Sequence, residues 1–118
     1  MPTEAGEPAA SLPKKRDVVI TGQFKKDFKR EQKGQHRATV RDDLKRTVDM
    51  LADDIPIPAH MVDHPLGGNW KDHRDCHIKP DLVLIYRKVA AANVKPPNQP
   101  EKPKLHLVRL GSHSELGI

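Results

Sequence analysis

An α+β domain, with a small and mostly antiparallel sheet and two helices packed on one of its faces, is predicted by three observations. A short β-branched run comes first, two segments with apolar residues at helical spacing follow, and the remainder reads as strands. The first strand closes on Val18-Val19-Ile20. Thr21 suits an N-cap, which predicts a helix from Gly22 to about Lys33 with Phe24 and Phe28 one turn apart on its buried side and Gly34 as its stop. A second helix is predicted from Arg37 to Asp53, where Val40, Leu44, Val48 and Leu51 recur at steps of four, four and three before Pro56 and Pro58 end it. Asn69 to Lys79 alternates as a strand does, with Trp70, Asp72, Arg74, Cys76 and Ile78 facing the core and Lys71, His73, Asp75, His77 and Lys79 forming a polar row. Pro80-Asp81 turns a corner into Leu82 to Val89, apolar on both faces and therefore central. Leu105 to Leu110 is the last strand. Between these two strands, residues 90–104 are rich in proline and predict an exposed loop. Residues 1–13 carry too little apolar surface to order and predict a tail, leaving 14–118 as one domain.

Composition narrows the setting. With 118 residues and 36% hydrophobic content the core is small, and Leu, Ile and Val must fill it because the aromatics are only Phe24, Phe28, Trp70 and Tyr86. A single cysteine, Cys76, excludes an internal disulfide and agrees with a reducing cytoplasm. No run approaches the roughly 18 apolar residues of a membrane span, and the N-terminus lacks the apolar centre of a signal peptide. A soluble, cytoplasmic protein is expected. The net charge of +5 is unevenly placed: twelve Lys and Arg stand against five Asp and Glu between Lys14 and Arg46. That half predicts a polyanionic partner, either nucleic acid or an acidic protein competing for the same surface.

The seven histidines raise metal binding first, through the pairs His60/His64 and His73/His77. Prolines beside the first pair argue against a helix there. In a strand the second pair would stand roughly 13 Å apart. Neither a metal site nor a cofactor is expected. Cys76 points to the core as a small hydrophobe, and Gly67-Gly68 is an isolated pair with no helix after it to cradle phosphate. What remains is proton transfer on a phosphodiester. Imidazole supplies the base and the acid, and Arg or Lys stabilises the phosphorane.

At these residues the chain resembles the RelE superfamily of bacterial type II toxins, in its YafQ branch. The resemblance lies in DHPL (Asp63 to Leu66), in GNWKDHRDCHIKPDLVLIY (Gly68 to Tyr86) and in RLGSHSEL (Arg109 to Leu116). It implies a fold like that of microbial ribonucleases and an endoribonuclease that cuts mRNA in the ribosomal A site without a metal. It also implies contact with 16S rRNA, inhibition by a cognate acidic antitoxin, and operator DNA bound only through the antitoxin complex. Carried onto this sequence, it implies catalytic roles for His64, Asp75, His77, Asp81 and His113. His113 would be the general acid, His77 and His64 would act as base or orient the phosphate, and Asp81 would fix an imidazole. Arg74, Arg87, Arg109, Lys71 and Lys79 are the candidate RNA contacts. Two departures stand out: Gly117 and Ile118 follow Leu116 where the family places an aromatic residue, and 90–104 is longer than its usual turn. A competing expectation is a basic nucleic-acid-binding protein of the same fold acting within a repressor complex. Phosphate binding alone needs only Lys and Arg, so such a binder gains little from the His-Asp set.

Overall fold

The computed structural model describes residues 14–91 and 102–118; the predicted tail and the centre of the Pro-rich loop lie outside the described residues. Ten elements follow in order. β1 (Asp17–Ile20) leads into helices α1 (Gly22–Glu31) and α2 (Val40–Ala52), then a 3-10 turn at Ala59–Met61. β2 (His64–Pro65), a second 3-10 turn at Gly68–Trp70, β3 (Arg74–Lys79), β4 (Leu82–Val89), β5 (Lys104–Gly111) and α3 (His113–Leu116) complete the chain. The five strands form one sheet in the order β1-β5-β4-β3-β2, antiparallel except where β1 runs parallel to β5.

β4 is central, as its two-sided apolar pattern requires: Leu82 to Tyr86 are all fully buried. Alternation divides them between two cores. Leu82, Leu84 and Tyr86 join Cys76, Leu105, Leu107 and Leu110 beneath Phe24 of α1 and Val40, Leu44 and Leu51 of α2. Val83 and Ile85 face the other way, against Leu116 of α3, with Leu66, Trp70, Val108 and Ile118 around them. Both long helices thus cover one face, and the opposite face carries the smaller core on which the histidines gather. Cys76 is buried as expected, and burial pushes its thiol up to about 12, so it is inert at neutral pH.

Thr21 caps α1 by accepting from the Phe24 amide at 3.0 Å, and its own hydroxyl donates to the Val108 carbonyl at 2.9 Å. α2 begins at Val40, its first fully buried residue, rather than at Arg37, because the polar stretch before it forms turns. The strand predicted from Asn69 to Lys79 also starts late. Asp72 adopts a left-handed backbone (φ 72) after the 3-10 turn at Gly68–Trp70, so the extended run begins at Arg74. That turn begins at Gly68 and carries Trp70 to the smaller core. Two elements were not anticipated, β2 and α3. For α3 the signal was present: Ser112 and Glu115 form a reciprocal capping box, and Gly117 closes the helix in the left-handed region.

α1 is fixed to β5 through one carboxylate. Asp27, fully buried, accepts from Arg109 Nε at 2.8 Å, the Leu110 amide at 3.0 Å, Arg30 Nη1 at 3.2 Å and Gln23 Nε2 at 3.2 Å. Burial alone would raise its pKa. The bonds from Arg109, the Leu110 amide and Gln23 together outweigh burial and hold the carboxyl below its ordinary value. A depressed carboxylate stabilises the fold above the unfolded pKa, about 4, and that contribution disappears as pH falls through the lower folded value. Asp27→Ala, which strands Arg109 and the Leu110 amide, is expected to cost roughly 3 kcal/mol at neutral pH, with the gap to wild type narrowing in acid as pH falls through the lowered folded value. Urea unfolding at neutral and acid pH checks this, and an unchanged gap at the acid end would contradict it.

Candidate active site

The site lies on the sheet face opposite α1 and α2 and is assembled from four places in the chain. β2 brings His64 beside β3, where His64 is paired in register with Asp75, and His77 follows two residues on. The β3–β4 corner supplies Asp81, and α3 begins with His113. Asp75 and His77 share the face of their partners Ile85 and Val83, while Cys76 and Arg74 share that of Leu84 and Tyr86.

The three histidines and two aspartates named from the sequence do meet. The His77 and His113 rings stand edge to face with centroids 5.1 Å apart, and His113 Nδ1 lies 3.4 Å from Asp81 Oδ1. His64 Nε2 lies 2.8 Å from Asp75 Oδ1, although that oxygen has no aligned hydrogen-bond donor, so the contact is one of charge and proximity. His64 Nδ1 meets the Pro65 carbonyl at 3.0 Å. His64 thus has one nitrogen hydrogen-bonded and the other beside Asp75, whereas those of His77 make no hydrogen bond among the described residues. Asp75 differs from the expected solvated row in being almost fully buried. Burial raises its pKa, and the charges of His64, His77 and His113 pull it back only in part.

Asp63 sets the approach to His64. Its Oδ1 accepts from the Tyr86 hydroxyl and from Arg74 Nε at 3.1 Å, which clamps the residue before His64 onto β3 and β4. Burial, then the hydrogen bond to Asp63, raises the Tyr86 pKa above its ordinary value. Val62, β-branched and half-exposed, sits at φ 52 in the left-handed region, a strained link between the first 3-10 turn and β2.

His113 is placed from below and behind. Leu116 buries itself on Val83 and Ile85, and the capping box fixes the first turn of α3. Behind it Arg30 donates to the Leu110 carbonyl at 2.7 Å and pairs with Glu115 at 3.3 Å. Gly111 is needed for that crossing, since a Cβ there would lie 2.8 Å from Arg30 Nη2 and 3.1 Å from Glu115 Oε1.

Three of the five cations expected at RNA belong to the scaffold instead. Arg74 is turned to Asp63 on the helix-side face, Arg109 is bound to Asp27, and Lys79 pairs with Asp43 of α2, which lowers the Asp43 pKa. Alternation could not show this because each partner is far away in sequence. Arg87, on the face of Ile85, and Lys71 are exposed and have no ion-pair partner among the described residues. The described residues contain no group of three or more His, Cys, Asp or Glu arranged to hold a metal ion. His73 is not in a strand; its ring packs edge-on against Trp70.

A small α+β sheet with basic helices behind and a histidine–carboxylate cluster in front defines the RelE-like class of bacterial toxins. Within that class the chain belongs to the YafQ family: residues 16–117 match the family described as the bacterial toxin of type II toxin-antitoxin system, YafQ. The mRNA interferase toxin YafQ of Escherichia coli K12 is 42% identical over 73 residues, covering 61% of this chain and 76% of that relative. The E. coli DinJ–YafQ complex contains a chain similar at a TM-score of 0.64 with 36% identity, covering 86% of this chain and 97% of its own. A metal-bound toxin from Helicobacter pylori is similar at a TM-score of 0.66 with 38% identity, over 86% of this chain and 98% of its own.

Asp75 burdens the fold. A carboxyl with a raised pKa costs nothing below the unfolded value and progressively more as pH rises through the folded one. Asp75→Asn is expected to raise the melting temperature at pH 7.5 by roughly 4 °C, or about 1 kcal/mol, and to leave it unchanged near pH ~4. Calorimetry at the two pH values decides the matter; destabilisation at pH 7.5 would mean that the charge is well paired.

Proposed function

We propose that this toxin is an mRNA interferase, an endoribonuclease that cuts message on the ribosome by acid–base catalysis and needs no metal. The observation that carries this is the meeting of His77, His113 and Asp81 at one exposed corner. RNA supplies its own nucleophile in the 2′-hydroxyl, so cleavage requires a group to take that proton, a group to protonate the leaving 5′-oxygen, and positive charge beside the phosphorane. His113, steadied by Asp81, delivers the proton to the 5′-oxygen. His77, with unengaged nitrogens, takes the 2′ proton. His64, held by the Pro65 carbonyl and set beside Asp75, orients the phosphate rather than shuttling protons. Arg87 and Lys71 offer phosphate contacts, and the lysine-rich faces of α1 and α2 suit rRNA.

The names of the relatives support the same reading, as mRNA interferases in E. coli and as one half of a DinJ–YafQ complex. An antitoxin is accordingly proposed as the partner, with operator DNA reached only through that complex and the cytoplasm as the place of action. No helix among the described residues is long and apolar enough to cross a membrane. A surface suited to an acidic, amphipathic antitoxin segment lies beside β1, where a cleft of about 440 Å³ is floored by Ile20, Phe24 and Phe28 and rimmed by Lys25, Lys26 and Lys29.

Expression alone in bacteria is expected to arrest growth, with new 5′ ends appearing inside translated messages. His113→Ala is expected to slow cleavage at least about 100-fold, and His77→Ala with His113→Ala to abolish both arrest and cleavage without changing the fold. Arrest that persists in the double variant would favour a basic nucleic-acid binder of the same fold.

A further inference from the structure

We propose that His60 forms a nucleobase subsite beside His77, holding the base next to the scissile phosphate against its imidazole face. The inference rests on the nuclease reading and adds a substrate contact to it. β2 covers only Arg74 and Asp75 of β3, and among the described residues no strand pairs with the outer edge beyond them. The 3-10 turn at Ala59–Met61 lies along that edge, anchored by buried Met61 and followed by the strained Val62. Between turn and edge is a cleft of about 500 Å³, lined by His60, His77, Ile78, Lys79 and Pro80. The same imidazole walls a second cavity of about 220 Å³, which runs to Arg46 and Met50 of α2.

The chemistry of this cleft is that of a stacking site. Ile78 and Pro80 give an apolar floor and His60 gives a flat π face. His60 is exposed and makes no hydrogen bond or ion pair among the described residues. No Phe, Tyr or Trp lines this cleft: Phe24 and Tyr86 are buried, Phe28 lies on α1 behind the sheet, and Trp70 is half-buried against the smaller core and His73. His77 shares its ring with His113. A phosphate held at His77 puts the adjoining nucleotide in the cleft, because His77 is itself one wall of it. Imidazole stacks on any base, and a stacked base loses about tenfold in binding when the platform is removed.

The test is cleavage of a defined message on translating ribosomes, at varied toxin concentration, by wild type, His60→Ala and His60→Phe. His60→Ala is expected to raise KM about tenfold with kcat within about twofold, and His60→Phe to recover wild-type KM because a phenyl ring stacks as well. A wild-type KM for His60→Ala, or a phenylalanine variant no better than alanine, overturns the subsite. Failure of the nuclease reading is seen separately, as a wild-type protein that does not cut. In that case titration with 3′-nucleotides decides the subsite: shifts of the His60 ring protons in NMR support it, and unmoved protons overturn it.

Discussion

One buried carboxylate holds the molecule in register. Asp27 collects Arg109, the Leu110 amide, Arg30 and Gln23 at the point where α1 crosses the end of β5. Just there β5 bulges: Ile85 pairs with Arg109 and Tyr86 with Leu107, which leaves Val108 as the extra residue. The bulge lets Arg109 and Leu110 both reach the helix while Val108 drops into the opposite core. Everything downstream inherits that geometry. Gly111 lets Arg30 pass, Arg30 meets Glu115, and Glu115 closes the capping box that begins α3 at His113. A charge buried without such partners would be prohibitive; with them it fixes the direction of the chain's last turn.

The carboxylates sort into two kinds by their surroundings. Asp27, Asp43 and Asp54 all have lowered pKa values, through Arg109 and its companions, Lys79, and Arg16 with Lys88 respectively, and the Asp54 carboxyl falls to about 2. Each joins distant elements and favours the fold at neutral pH. Asp75 is the reverse: it is buried, one oxygen lacks an aligned donor, its pKa is raised, and its nearest companions are imidazoles rather than permanent cations. A small domain has no stabilising reason to keep such a group. Local cost beside titratable partners in an open site is what makes Asp75 a candidate for the site rather than for packing.

What the sequence made legible follows the range of each interaction. Leu82 to Val89 matched its predicted bounds because two-sided burial is written in the residues themselves, and the Thr21 cap with Phe24 is a matter of one helical turn. β3 began late because a left-handed backbone at Asp72 is not a property of hydrophobic pattern. Arg74, Arg109 and Lys79 looked like free cations because their partners lie 11, 82 and 36 positions away. Resemblance named the histidines 64, 77 and 113; spacing alone could not have brought them together. The prolines beside His60/His64 correctly argued against a helical pair, since the segment is a 3-10 turn and a left-handed Val62, but nothing in the spacing showed that His60 lines a cleft with His77.

The basic helix surfaces and the histidine cluster occupy different faces of the sheet. The lysines and arginines of α1 and α2 lie behind the sheet, where their summed field draws a polyanion to the molecule as a whole. Three of the candidate cations are paired with aspartates on that same side, which leaves the front face to the imidazoles, Asp75, Asp81 and Arg87. The His77 and His113 rings stand edge to face, and of the two only His113 has a carboxylate at contact distance among the described residues. One aspartate beside one of two packed imidazoles is thus the geometric difference between the rings, and it is set by where the β3–β4 corner meets the start of α3.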